Sequence, residues 1–332
     1  MELTPSHIDS LFDAFAKSNV LVIGDAMLDV YTEGTINRTS PEAPVPIVDV
    51  RHRFSKAGGA ANVACNIKAL GATPTLLTIV GDDKAGNSII GILSQHGIGT
   101  SHVVKSAHRP TTTKERVVCN GRHVVRIDEE TTADIDDTEF DTIIAHFDEI
   151  VNGTELKAIV LQDYDKGMLS PRLIRRITET ARQLSIPIMV DPKKEHFNDY
   201  EGAFLFKPNA KELCAGTGSN DDISSIVEAS QRLCASKGHS FVMTTLSERG
   251  SVIANGTDSC HFEAVPRNIV DVSGAGDTVI STAALCLAVG ETAVSAAFIA
   301  NIAGGMVCEE QGVVCIDRQR LISEAKHLSA KP

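Results

Sequence analysis

Long apolar runs are missing: nowhere do the 332 residues approach the roughly 20 consecutive apolar positions of a membrane-spanning helix. The opening segment MELTPSHIDSLFDAFAKSN carries acids and has neither the basic start nor the apolar middle of a secretory leader. A cytoplasmic protein with no membrane partner is therefore expected. Glycine and proline number only 25 and 12 while 42% of the chain is apolar, which excludes collagen-like and disordered classes. Basic residues are in deficit, 31 against 43 acids, so the summed field repels phosphate backbones and nucleic acid is an unfavourable partner. The eight cysteines form no CxxC pair and none stands near a histidine at zinc-ligand spacing, so they read as reduced, mostly buried thiols. No HExxH, no GxSxG and no Gly-Lys dipeptide occurs, which leaves zinc hydrolysis, serine hydrolysis and Walker-type phosphate binding without support. Internal repeats and low-complexity linkers are absent as well.

What is present is a recurring unit. Short apolar runs end in Gly, Asp or Asn: VLVIGD (20–25), TLLTIVGDD (75–83), AIVLQDYD (158–165), IPIMVDP (186–192), GAFLFKPN (202–209) and SFVMTTL (240–246). Between them lie segments with helical spacing, over 59–70, 84–96, 137–151, 170–185, 209–215, 222–237, 275–289 and 292–310. Alternating strands and helices predict an α/β fold with a mostly parallel sheet covered on both faces. Two stretches break the rhythm, 31–57 with its PEAPVP and 102–130 with strand-like runs flanking Asn120-Gly121, a strong hairpin signal. Together they predict a small antiparallel lid on a single domain spanning 1–332. Ligands of open parallel sheets sit beyond the strands' carboxyl ends, where Asp25, Asp82, Asp163, Asp165, Asp191 and Asn209 fall. Each of these is also an ordinary turn residue.

Asp271-Val-Ser273-Gly274-Ala275-Gly276-Asp277 is the segment richest in chemistry. Two glycines at a helix start expose backbone N–H groups to an anion, and an adjacent acid can take a proton from an attacking hydroxyl. Asp277 complementing the helix dipole, with the glycines merely turning the chain, is an equal alternative on spacing alone. The third glycine of a dinucleotide fingerprint is missing. Gly58-Gly59, three residues before Asn62, opens a helix of small residues that suits either a sugar or close packing. Asn209, Ala210, Lys211 and Glu212 have capping-box spacing, and Glu212 is also a candidate for a magnesium ion held through water. Thr245, Ser247 and Gly250 form a hydroxyl-bearing turn that suits nucleotide phosphates or a tight turn equally.

Taken together, GDAMLD (24–29), GGAANVACNIKALGA (58–72), DYDKG (163–167), DPK (191–193), KPNAKE (207–212) and DVSGAGDT (271–278) resemble the ribokinase-like (PfkB) carbohydrate kinases over residues 20–316. The resemblance implies an α/β/α sandwich with a β lid that commonly serves as a dimerisation surface, acting on a small-molecule sugar phosphate and ATP with Mg2+. It places Asp277 as catalytic base, and Gly274, Ala275 and Gly276 as the anion hole. Asp25, Asp29, Gly58, Gly59 and Asn62 fall at sugar positions. Asn209, Ala210, Lys211, Glu212, Thr245, Ser247, Gly250 and Asn301 fall at nucleotide positions, and Asp271 and Ser273 near a K+ site found in some members. SPEAPVPIVDV (40–50), TTTKERVV and HVVRIDEE look like the branch that phosphorylates D-glycero-D-manno-heptose 7-phosphate at O1, on the route to ADP-heptose and the lipopolysaccharide core. A substrate carrying a phosphate calls for cations, and Lys114, Arg116, Arg126, Lys166 and Lys193, with Arg38, are the candidates; exposed strand charges that keep an edge soluble are the alternative. A family member acting on a hexose phosphate, ribose or a nucleoside stays open, as does a non-catalytic sensor. No His-x-Gly-His motif occurs, so no nucleotidyltransferase domain is expected.

Overall fold

The computed structural model describes residues 3–330; residues 1, 2, 331 and 332 of the expected 1–332 domain lie outside it. Its centre is a nine-stranded sheet, built from β1 (Asn19–Gly24), β4 (Thr73–Gly81), β5 (Val103–Ser106), β8 (Ala158–Gln162), β9 (Ile188–Asp191), β10 (Leu205–Phe206), β11 (Phe241–Thr245), β12 (Ser251–Ala254) and β13 (Ser259–Phe262). The spatial order is β13-β12-β11-β10-β9-β8-β1-β4-β5. All neighbours from β11 to β5 pair parallel, and β12 and β13 add an antiparallel edge. β1, β8 and β9 are buried almost throughout, as strands covered on both faces must be.

One face of the sheet is covered by α1 (Pro5–Phe15), α2 (Ala60–Ala69), α3 (Lys84–Gln95), α8 (Ala275–Ala288), α9 (Ala293–Val307) and α10 (Arg318–Ser329). The other is covered by α4 (Asp137–Gly153), α5 (Pro171–Gln183), α6 (Ala210–Thr217) and α7 (Ile223–Lys237). The result is the expected α/β/α sandwich. α8 and α9 are largely apolar and nearly wholly buried, as helices inside a layer must be, with Asp277, Thr278, Ser281 and Thr282 the buried polar residues of α8. They approach closely: a Cβ on Gly304 of α9 would stand 2.5 Å from Val279 Cγ2 of α8. α8 carries Asp277, so this packing fixes the site from behind. Among the described residues no helix is long and apolar enough to cross a membrane.

The lid is a second sheet, β2 (Ala26–Thr39), β3 (Pro46–Gly59), β6 (Thr113–Cys119) and β7 (Arg122–Glu129), in the order β3-β2-β6-β7. It departs from the sequence reading in three ways. β2 and β6 pair parallel, so the sheet is mixed rather than antiparallel, because the chain enters β6 only after crossing the main sheet as β5. Residues 103–106 belong to that main sheet and not to the lid. The lid also begins at Ala26, one residue after Asp25, and runs back through Gly59, so both ends of its long hairpin open directly onto the carboxyl end of β1. The hairpin expected at Asn120-Gly121 is present, with both residues at positive φ, 51° and 73°.

Strand register sorts the lid's side chains into two faces. Asp29, Tyr31, Lys114, Arg116, Arg126 and Asp128 share the face turned to the sheet ends. Thr32, Glu115, Val125 and Ile127 share the other, together with Val50 opposite Gly34. On that outer face Val50, Val125 and Ile127 are about half exposed, at 51, 49 and 53%.

Candidate active site

Asp277 sits in the first turn of α8, at the carboxyl end of the sheet, and is only 2% exposed. Gly274, at φ 80°, is the N-cap; its backbone turns the chain so that the helix starts bare. A Cβ there would meet Asn62 Nδ2 at 2.9 Å, so glycine is what lets α2 and α8 come together. Three donors hold the carboxylate. Asn62 Nδ2 donates to Oδ2 at 2.8 Å, and Tyr164 Oη and Gln162 Nε2 donate to Oδ1 at 2.8 and 3.2 Å. Two carboxylate oxygens offer about four acceptor positions, so one on Oδ2 remains for an incoming hydroxyl.

Burial pushes the Asp277 carboxyl up to about 7; Asn62 and Tyr164 pull it down, Asp191 pushes it further up and Lys207 opposes that. Lys207 and Asp191 are themselves buried, with Nζ and Oδ1 3.0 Å apart, and Gln162 Nε2 also donates to Asp191 at 3.0 Å. A Cβ on Gly276 would meet nothing closer than Lys207 Nζ at 3.7 Å and Asp191 Oδ2 at 3.9 Å, so the space before this helix start is open to a ligand. Ala275, expected as an anion-hole donor, instead turns its N–H to the Val272 carbonyl at 3.3 Å. Among the described residues no acceptor is found for the N–H groups of Gly276 and Asp277, and these are the donors an anion would meet. A phosphate fits this cradle: bare amides, no side chain in front and a buried ammonium at its flank.

The other expected residues divide by what already holds them. Asp29 is buried, pairs with the Arg116 guanidinium, and has its carboxyl raised by burial against the pull of Arg116. Gly58 is explained by it, since a Cβ would stand 2.1 Å from Asp29 Oδ2. Gly59, at φ 59°, clears the Asp25 carbonyl. Asp25 is largely engaged already: its carboxylate accepts from the N–H groups of Tyr164, Lys166 and Met168 at 2.9, 3.1 and 3.2 Å, so it anchors the 163–168 loop, with one acceptor position left on Oδ1 for a sugar hydroxyl. Asp163, beside it, is pushed up to about 7 by burial and then by the Asp25 charge.

Of the expected phosphate cations, Lys114 pairs with Asp128 and Glu130, Arg126 with Asp128, and Lys166 with Glu130. Arg38 stands exposed at the far end of β2. Lys193 belongs elsewhere: it bonds Glu212 Oε1 at 2.6 Å and lies over the Tyr164 ring, and so stands with the capping box of α6 rather than with the lid.

Asn209 and Glu212 form the full capping box at the start of α6, and Ala210 is buried beneath it while Lys211 points out. With Oε2 on the Asn209 N–H and Oε1 on Lys193, Glu212 fits a magnesium ion only through intervening water. Thr245 bridges to Asn209, which brings the two segments expected at a nucleotide side by side. Ser247 and Gly250 hold the following turn at φ 55° and 86°. Asn301 on α9 donates to the Glu263 carbonyl at 3.0 Å. Asp271 accepts from the N–H groups of Ser273 and Gly312 at 2.9 and 3.0 Å, so its oxygens already close a loop where a monovalent cation was expected.

Three residues of this cluster have no individual place in the sequence reading, Gln162, Tyr164 and Lys207, while Asp191 figures there only as one of the acids at the strand ends. The signal available was a Lys and a Gln at the ends of otherwise apolar strands, a costly placement unless the group is paired. The Gln162 Oε1, buried, has no donor partner among the described residues.

A family model described as pfkB family carbohydrate kinase matches residues 17–318. The chain is 37% identical over 322 residues to the bifunctional protein HldE of Mesorhizobium japonicum, covering 96% of this chain and 64% of that one. It is 38% identical over 321 residues to HldE of Granulibacter bethesdensis, with 93% and 65% covered. The chain thus spans just under two thirds of the length of these relatives. Phosphofructokinase-2 from Escherichia coli in complex with substrates and products superposes with a TM-score of 0.79 at 18% identity, covering 95% of this chain and 100% of that one. Arabidopsis thaliana ribokinase complexed with ribose and ATP gives 0.72 at 18%, covering 93% and 99%.

Proposed function

The chain belongs to the pfkB family of carbohydrate kinases, and from that premise we propose that it moves the γ-phosphoryl group of ATP to O1 of D-glycero-D-manno-heptose 7-phosphate. The observation that carries the reading is the buried Asp277, poised near neutrality with one free lone pair, beside an uncovered helix start. Asp277 Oδ2 takes the proton as O1 bonds to the γ-phosphorus and the bond from that phosphorus to the bridging oxygen of ADP breaks. The N–H groups of Gly276 and Asp277 hold the charge on the migrating group, and Lys207 offsets it from behind. Mg2+, when bound, neutralises the phosphate oxygens of the nucleotide, with Glu212 reaching it through water. Asp29, with Arg116, orients the sugar hydroxyls, while Lys114, Arg126 and Lys166 exchange a lid carboxylate for the 7-phosphate.

Support for the heptose branch comes from the lid segments read in the sequence and from likeness to HldE proteins over nearly the whole chain. Purified protein, ATP and a panel of heptose 7-phosphate, fructose 6-phosphate and ribose separate the options, with phosphorus NMR locating the new ester. Turnover restricted to the heptose, at O1, is the expected result. Preference for either of the other two overturns the branch while leaving the family intact. We further propose that the outer lid face pairs with a second copy through Val50, Val125 and Ile127. Ile127→Glu should then halve the mass measured by light scattering, and a monomeric wild type removes the idea.

A further inference from the structure

Three side chains far apart in the sequence converge on the face of the sandwich that holds α2. Cys65 of α2, His96 just past the end of α3 and Cys315 of the segment leading to α10 have their sulfur and nitrogen atoms within 4.8 Å of one another. No cysteine stands near a histidine at zinc-ligand spacing in the sequence, and spacing along the chain could not reveal this convergence in space. We propose that Cys65, His96 and Cys315 form a binding site for a thiophilic divalent cation of the Zn2+ class, with water as the fourth ligand.

The chemistry of the donor set supports a metal. Two sulfurs and one imidazole are what a borderline-soft d10 ion selects, and a tetrahedral site with Zn–S of about 2.3 Å puts donor atoms about 3.7 Å apart. The three atoms need contract only modestly to reach that. Two thiolates balance the ion's charge, and their protons leave to solvent on binding. Burial is graded in the way a site with an entrance needs: Cys65 is buried, Cys315 half-buried and His96 exposed. His96 also caps the carboxyl end of α3, where unpaired carbonyls favour positive charge. A disulfide between the two sulfurs would need an oxidant and would leave His96 without a part.

The position gives the site a role as a clasp. Cys65 lies one turn after Asn62, the donor to Asp277, and next to Asn66, whose Oδ1 accepts from the Ile316 N–H at 2.9 Å. Val313, two residues before Cys315, packs against Gly274 at the start of α8. A bound ion would tie α2, α3 and the 313–316 segment together behind the anion cradle.

The test uses the full chain, reduced and stripped of metal, titrated with Cd2+ for the thiolate charge-transfer band and with Zn2+ against a chromophoric chelator. One equivalent should bind with a Kd below about 1 μM. Zn2+ should raise the melting temperature of the wild type. Cys315→Ser should remove both the band and the thermal shift. His96→Gln, at an exposed position where folding is not at risk, should weaken Zn2+ by at least about tenfold. His102→Gln serves as a control, because His102, His146 and Glu149 form a second cluster of nitrogen and oxygen donors that cannot produce a thiolate band. No band at one equivalent, an unchanged band in Cys315→Ser, or an unchanged affinity in His96→Gln overturns the proposal. None of these readouts depends on kinase activity.

Discussion

Two regions supply charge to the same crevice, and they are built on opposite principles. At the carboxyl end of the sheet Asp277 is held by three neutral donors in a place nearly closed to water, so its proton affinity is set by burial. In the lid and the 163–168 loop, Lys114, Arg126 and Lys166 face Asp128 and Glu130 across partly wet ion pairs. The first arrangement fixes one geometry and tunes one pKa. The second can exchange partners, because a partly solvated pair is held less tightly than a buried one and an exposed one such as Arg126 with Asp128 contributes only about 0–1 kcal/mol. On the proposed function, the fixed chemistry would lie in the sheet and the substrate discrimination in the lid.

The largest effect that could break this division is at Asp277. Asp277→Asn should reduce turnover by about 10²–10⁴ with nucleotide affinity retained. It should also stabilise the protein at high pH. A carboxyl raised to about 7 in the fold, against about 3.9 unfolded, holds its proton more tightly when folded. Its contribution to stability is complete below about pH 4 and is lost as pH rises through 7, at about 1.4 kcal/mol per unit of difference. Melting curves of wild type and variant should therefore diverge at pH 8 and converge near pH 4. Equal curves at both would mean that Asp277 is solvated and that the poised base does not exist.

Arg116 is the lid residue that behaves like the sheet. Its side chain is 11% exposed and its partner Asp29 only 3%. Arg116→Ala leaves a buried carboxylate without its cation, which costs up to about 3–5 kcal/mol in stability, and urea midpoints should fall accordingly. KM for the sugar should rise more than KM for ATP. A stable variant with unchanged sugar KM would return Asp29 and Arg116 to the mobile part of the lid.

Tyr164 sharpens the comparison from the other side. Its hydroxyl is one of the donors that keep the Asp277 carboxyl from rising further. Tyr164→Phe should move the acid limb of the kcat/KM profile to higher pH, because the base then takes up its proton sooner as pH falls. A limb that stays in place would show that burial and the other two donors, Asn62 and Gln162, set the carboxylate without Tyr164.

Most of the sandwich was legible because its helices and strands announce themselves locally, through apolar spacing and through caps such as Asp136, Ser170 and Asn209. α1 and α10 carry the same signals, Thr4 before Pro5 and Asp317 before Arg318, but lie outside the βα rhythm that guided the reading. β5, β12 and β13 are four residues each, too short for periodicity to register. In the site, Asp277 and the glycines could be read because one segment holds them. Gln162, Tyr164, Asp191 and Lys207 come from three separate strand ends that meet only through the sheet order. Asp25 shows the converse: an acid at a strand end in the right motif whose carboxylate is mostly taken up by backbone N–H groups of a loop distant in the sequence, which spacing could not reveal.

The smallest effect is the most direct test of exchangeable charge. Arg126 is 56% exposed and both its Nε and one terminal nitrogen meet the Asp128 carboxylate. Asp128 in turn serves Lys114, so removing Arg126 leaves it one cation and no desolvated charge. Arg126→Ala should therefore change stability by less than about 1 kcal/mol. If the lid offers its cations to a substrate phosphate, KM for the phosphorylated sugar should rise several-fold with kcat unchanged, and the rise should shrink as salt screens the site. KM for ATP should not move. A variant that instead loses kcat would place Arg126 with the fixed machinery around Asp277, and the division between a rigid sheet end and an exchangeable lid would not hold.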